Sequence, residues 1–178
     1  MTVLEMHDLA SAPIGSRPLL QSSIDGFGWI PWQSAYMAAS PALLASYQFA
    51  HDAFSRCSLN EEERAIVWIT TGMINRCGYT VQAHSWIALR KGVAPEIVRA
   101  LTDKPEALPA RLGALYAFTA HVVQAQGQIR QEAIEAILAA GFSRENMLDV
   151  ILGVSQKTMS TLLNSIAHTQ VEPQFQLG

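Results

Sequence analysis

Asn60-Glu-Glu-Glu-Arg-Ala-Ile-Val-Trp-Ile-Thr-Thr-Gly-Met-Ile74 is the stretch that decides the fold class. Asn60 followed by Glu63 has the spacing of a capping box, and Glu61 and Glu62 add negative charge where a helix start favours it. From Ala65 to Ile74 the run is apolar nearly all round. A helix with no polar face belongs inside a protein, so this one is expected at the centre of a helical core. Asn75-Arg76-Cys77-Gly78 interrupts it. A second helix is then expected over 79–91, with Arg90 and Lys91 in its last turn and Gly92 just beyond.

Outward from this pair the same signals recur. Ser40-Pro41 places a capping residue before a proline at the first helical position, and strong helix formers continue to Arg56. Toward the C-terminus, helices are expected over 95–101, 110–126, 130–140 and 143–168, with a proline-bearing link over 102–109. Residues 4–28 read as irregular, because Pro13, Gly15, Pro18, Gly26 and Gly28 break any period. The expectation is an all-α chain with an N-terminal arm (residues 1–28) and one helical domain (29–178). No alternating run is long enough to build a sheet, and there is no glycine-rich phosphate loop.

The 178 residues are 49% hydrophobic and only 15% charged, with a formal net charge of −3. No basic run exceeds Arg90-Lys91, which argues against nucleic acid and anionic membrane as partners. So apolar a composition points to a homo-oligomer that hides part of its surface. No stretch reaches the length of a membrane span, and Glu5 and Asp8 stand where a signal peptide would be basic, so a cytoplasmic location is expected. Two cysteines, Cys57 and Cys77, are too few for a disulfide framework. His51, His121 and His168 fall on separate helices without ligand spacing, so neither a metal nor another cofactor is expected. Trp29, Trp32, Tyr36, Trp68 and Trp86 are read as core and subunit-contact residues that also have the size to roof an apolar pocket.

The chemical constellation is Cys77, Thr80 and His84. If the helix includes Cys77, the three fall within a sector of about 60° and face one pocket. Thr80 and His84 are then about one turn apart, roughly 6 Å, and Cys77 and His84 about two turns, roughly 10 Å. His84 is thus a natural partner for position 80 and a poor direct one for Cys77. Cys77 is a candidate thiol activated by a helix N-terminus and oxidisable to a sulfenic acid, or else a small buried side chain. His84 is a candidate general acid/base, or a core histidine bonded to position 80 or a carbonyl. Thr80 is a weaker candidate nucleophile, since a helical threonine tends to bond back one turn. Cys57 would serve as a resolving thiol only if the fold brought it close to Cys77. Glu61 and Glu62 are read as solvated helix-start residues.

Gly28-Trp-Ile-Pro31, Ser40-Pro-Ala-Leu-Leu44, Leu59 to Arg64, Asn75-Arg-Cys-Gly-Tyr79 with Ala83-His84, and Ala140-Gly-Phe142 with the Asn164 region together resemble the carboxymuconolactone decarboxylase and alkylhydroperoxidase D family, particularly its peroxidase-related members. The resemblance implies an all-helical bundle assembled as trimers or hexamers. Redox members of that family carry a glutamate after the arginine of the buried helix, then Cys-x-x-Cys, then a histidine four residues on, and use them to reduce hydroperoxides or exchange with a partner thiol. Here Cys77 matches the first cysteine and His84 the histidine, whereas Thr80 stands at the second cysteine and Ala65 at the glutamate. The resemblance therefore implies at most a degenerate one-cysteine thiol peroxidase with a thiol partner. The alternatives are a cofactor-free lyase acting on a small carboxylate or lactone through His84, or a non-catalytic binding or assembly module.

Overall fold

A computed structural model describes residues 3–176, so the outer ends of the arm (1–28) and the helical domain (29–178) expected from the sequence lie outside the described residues. Among the described residues nine α-helices follow in order, α1 (Arg17–Phe27), α2 (Trp32–Met37), α3 (Pro41–Ser55), α4 (Glu61–Ile74), α5 (Gly78–Arg90), α6 (Pro95–Asp103), α7 (Ala110–Gln124), α8 (Gln131–Ala139) and α9 (Arg144–Ala167), and there is no strand. Short 3-10 turns at Ile14–Ser16, Pro105–Ala107 and Pro173–Phe175 complete the chain.

The first helix corrects the sequence reading of residues 4–28 as irregular. Pro18 lies in the first turn of α1, where its missing N–H costs nothing, and Gly28 closes the helix in the left-handed conformation at φ 85°. Of the residues read as breakers, Pro18 thus begins the helix and Gly28 closes it, while Gly26 lies within its last turn. What holds α1 is tertiary: Leu20 is fully buried with Met37, Ala38, Leu44 and Leu163. Helix α2 has only six residues and no side-chain cap, too little for a periodic pattern to declare it. Helix α6 continues to Asp103, so the expected link from Thr102 begins later and holds a 3-10 turn.

Helix α4 is the hub, packing against α5, α7 and α9. Its capping box is reciprocal, with the Asn60 side chain accepting from the Glu63 N–H at 2.9 Å and the Asn60 N–H donating to Glu63 Oε2 at 3.0 Å. Glu63 also pairs with Arg111 of α7. Every residue from Glu63 to Gly72 is buried. Each of the larger apolar side chains in that run contributes about 1.5–3 kcal/mol of burial free energy.

The close approach of α5 depends on Gly72. A Cβ there would lie 2.8 Å from Thr80 Cγ2 and 3.1 Å from Thr80 Cβ, so only glycine lets α5 seat its first turn on α4. Between the two helices the chain turns through a Schellman motif: Cys77 N–H bonds to Gly72 O at 2.8 Å, Arg76 N–H bonds to Met73 O at 3.0 Å, and Arg76 takes φ 53° where glycine is usual. Helix α9 ends the same way, with His168 at φ 50° and Thr169 N–H on Asn164 O at 3.1 Å.

Candidate functional site

The turn between α4 and α5 places Cys77 outside the helix. Cys77 is the N-cap of α5, with extended φ −101° and ψ 92°, whereas Thr80 and His84 lie one turn apart within it. The shared pocket expected for all three therefore divides in two. Thr80 and His84 line a cavity of about 280 Å³ together with Tyr47, His51, Ala83 and Ile87. Cys77 lines a separate, polar pocket of about 270 Å³ with Asn75, Arg76, Asn164, His168 and Thr169. Tyr79 borders both and forms the partition. Its hydroxyl donates to Glu172 Oε1 at 3.1 Å, which also accepts from Trp32 N–H at 3.2 Å. Burial and then the Glu172 charge push the Tyr79 hydroxyl far up, so the partition stays a neutral hydrogen-bond donor.

In the larger cavity the electrostatics favour neutral groups. His84 is buried, its ring tilted on Trp68 with centroids 4.6 Å apart, and its Nδ1 has no hydrogen-bond partner. Burial, then the positive charge of Lys157, holds the His84 imidazole well below its ordinary range. His51 stacks on Trp68 at 5.1 Å with 7° between planes, and burial followed by Lys157 moves it down to about 4. Both rings are uncharged at neutral pH, which suits a hydrogen bond to a ligand and makes His84 a weak proton donor. Thr80 is 1% exposed and its Oγ1 is unpartnered, so it does not make the expected bond to a carbonyl one turn back, nor does it bond to His84.

Lys157, 1% exposed, lies behind this cavity. Its Nζ donates to Tyr47 Oη at 3.0 Å and sits 5.4 Å from the centre of the Trp68 ring. Burial lowers its proton affinity and the Tyr47 hydroxyl opposes the shift. Sequence reasoning missed Lys157, Tyr47 and His51 as a group. The signals were there: Tyr47 and His51 are one turn apart, and Lys157 is the lone charged residue between Asp149 and Glu172, within a buried polar stripe that includes Gln156, Ser160 and Asn164.

In the smaller pocket, Cys77 is 9% exposed and its Sγ receives the Asn164 Nδ2 at 3.6 Å. The same amide group donates to Gln33 Oε1 at 2.8 Å. Cys57 is not a partner for it. The 14-residue helix α4 separates the two cysteines, about 21 Å of rise, and both thiols are free. Burial pushes the Cys57 thiol up. Ala65 is buried in the core of α4, and Glu61 lies nearer the surface, paired with Arg64 at 2.8 Å and Lys91 at 3.2 Å, so neither supplies a carboxylate to His84. Among the described residues no cluster of three His, Cys, Asp or Glu side chains could hold a metal ion, and no helix is long and apolar enough to cross a membrane.

Residues 41–104 match the model of the carboxymuconolactone decarboxylase family. No curated protein matches the sequence. The fold is similar to that of a peroxidase-related protein with an alkylhydroperoxidase AhpD core from Ralstonia eutropha JMP134, with a TM-score of 0.87 at 21% identity over 98% of this chain and 94% of that one. A peroxidase-related protein from Silicibacter sp. TM1040 gives 0.80 at 19% identity over 97% and 92%. The debrominase Bmp8, in a cysteine-to-alanine variant complexed with 2,3,4-tribromopyrrole, gives 0.83 at 15% identity over 98% and 94%.

Proposed function

We propose that this chain, whose residues 41–104 match the model of the carboxymuconolactone decarboxylase family and whose fold is alkylhydroperoxidase D-like, retains thiol chemistry at Cys77 alone, as a one-cysteine thiol peroxidase without an internal disulfide cycle. The observation that carries this reading is the setting of Cys77: N-cap of a 13-residue helix, an amide N–H on its sulfur, a polar pocket in front of it and no second thiol within reach.

The chemistry is short. The Cys77 thiolate attacks one oxygen of a hydroperoxide, an S–O bond forms as the O–O bond breaks, and the departing alkoxide takes a proton from solvent. The sulfenic acid then condenses with an external thiol, releasing water and leaving a mixed disulfide, and a second external thiol restores Cys77 and leaves as the oxidised disulfide. Intact mass after peroxide tests this. A gain of about 16 Da on Cys77, lost in Cys77→Ser, is expected. A loss of about 2 Da, or an unchanged mass with no sulfenate trapped, contradicts it.

A second reading is favoured by one observation, that the larger cavity holds His84 and Thr80 but not Cys77. On this reading a small apolar ring, carboxylate or lactone binds against neutral His84, for cofactor-free lyase chemistry or for binding alone. The complex of the debrominase Bmp8 with a small halogenated ring supports a ligand of that size on this fold. Turnover that survives Cys77→Ser and disappears in His84→Ala would favour this reading over the first.

A further inference from the structure

We propose that the polar pocket beside Cys77 is the binding site of the thiol that regenerates it, and that this thiol is a small amino-acid or peptide thiol carrying a carboxylate and N–H donors. The proposal rests on the reading of Cys77 as a lone redox thiol, because such a residue needs an outside reductant.

Three helix ends meet at this pocket: the start of α5 at Cys77 and the left-handed C-terminal turns of α4 at Arg76 and of α9 at His168. Arg76 is exposed, its side chain has no ion pair or hydrogen bond among the described residues, and it shares the pocket with no acidic side chain. A free guanidinium in such a place suits a carboxylate, which it holds with paired hydrogen bonds. Donors are called for on the opposite side. Asn164 is 5% exposed, its Nδ2 is spent on Gln33 and on Cys77 Sγ, and its Oδ1 is buried with no donor. Thr169 Oγ1 is unpartnered as well. A buried polar atom without a partner costs about 1–3 kcal/mol, and a ligand N–H on Asn164 Oδ1 would remove that cost.

The reacting sulfur belongs between these two anchors. A molecule with its carboxylate on Arg76 and its N–H groups on Asn164 spans Cys77, placing its thiol for attack on the sulfenic sulfur. The S–OH bond then breaks, water leaves and a mixed disulfide forms; a second molecule attacks that disulfide and departs oxidised. The pocket volume of about 270 Å³ suits a molecule of two or three residues rather than the loop of a folded protein. On this assignment the thiol occupies the pocket in which peroxide meets Cys77, so the two must take turns, and ping-pong kinetics follow.

Calorimetric titration with S-methylglutathione tests the assignment, since its blocked sulfur binds without reacting. Saturable binding to the wild-type protein is expected. Arg76→Asn, which suits the left-handed backbone, should weaken it by about tenfold or more through loss of the charged pair. The dimethyl ester of the probe should bind as weakly, Asn164→Leu should also weaken binding, and Arg56→Asn, the same change at an exposed site beyond the far end of α4, should not. No saturable binding, or equal binding in wild type and Arg76→Asn, overturns the proposal. The titration contains no peroxide, so the two readings fail separately. Sulfenate formation without probe binding overturns this assignment alone, whereas binding lost in Arg76→Asn without any sulfenate supports the pocket's ligand and overturns the peroxidase reading.

Discussion

The two cavities on either side of Tyr79 differ in nearly every physical respect. One is bounded by rings, with two imidazoles kept neutral and a lysine held behind it by a tyrosine hydroxyl. The other is polar, has an unpaired guanidinium and contains the Cys77 sulfur. Motif residues three and seven apart in sequence are thus parted by a single conformational fact, that Cys77 caps α5 instead of joining it. A cap has non-helical φ and ψ, and helical-wheel reasoning that counts it as the first helical residue points its side chain the wrong way.

The most damaging way to break this division is to remove the partition. Tyr79→Ala deletes a buried aromatic ring that packs on Phe175 with centroids 6.1 Å apart, and should cost about 3–5 kcal/mol in urea unfolding. Tyr79→Phe keeps the wall but takes the donor from Glu172 Oε1, for about 1.5–3 kcal/mol. A loss in Tyr79→Phe as large as that in Tyr79→Ala would mean that the Glu172 contact, not the ring, holds the two sides apart.

Behind the larger cavity, Tyr47→Phe strands the Lys157 ammonium without its acceptor and should cost about 1.5–3 kcal/mol. Lys157→Met, similar in volume and free of charge, should cost less or even stabilise. If Lys157→Met proves the more damaging of the two, the lysine is held by more than the tyrosine hydroxyl. At the seam between α4 and α5, Gly72→Ala drives a methyl into Thr80 and should cost about 1–3 kcal/mol. Adding Thr80→Ser removes the Cγ2 it meets and should recover part of that loss, and a double variant no more stable than Gly72→Ala would place the strain elsewhere.

The dependence on pH arises in the same larger cavity. His51 and His84 have folded-state proton affinities below their unfolded value near 6.5, so the unfolded chain binds more protons and stability rises with pH across the interval. Read downward, stability is lost from about pH 6.5 toward 4, with His84 alone contributing a slope of up to about 1.4 kcal/mol per pH unit. Denaturation midpoints at pH 7 and pH 5 check this. His84→Leu should flatten the acid limb, and an unchanged limb would assign it to other groups.

The fold was largely legible in the sequence because its central helices announce themselves locally. The Asn60–Glu63 box, the Ser40-Pro41 start and the Ser143–Asn146 start all appear as hydrogen-bonded caps. Helices α1 and α2 were not legible, because they are held by burial against α3 and α9, contacts that a local pattern does not record. Of the candidate site, Cys77, Thr80 and His84 were singled out by the family resemblance, and Thr80 and His84 line one cavity but without the bond between them that their spacing suggested. The partners were not readable. Asn164 reaches Cys77 across 87 positions and Lys157 reaches Tyr47 across 110, and such pairings arise only when distant helices pack.

The account stands on Cys77 acting independently of His84, and the rate at which peroxide oxidises Cys77 in wild type and in His84→Ala measures this directly. Sulfenate trapping over time at fixed peroxide and pH should give rates that agree within about twofold, since no step from thiolate to sulfenic acid passes through the other cavity. A fall of about tenfold or more in a folded His84→Ala protein, equivalent to about 1.4 kcal/mol in the barrier, would mean that the histidine serves the thiol after all and would contradict the division of the site.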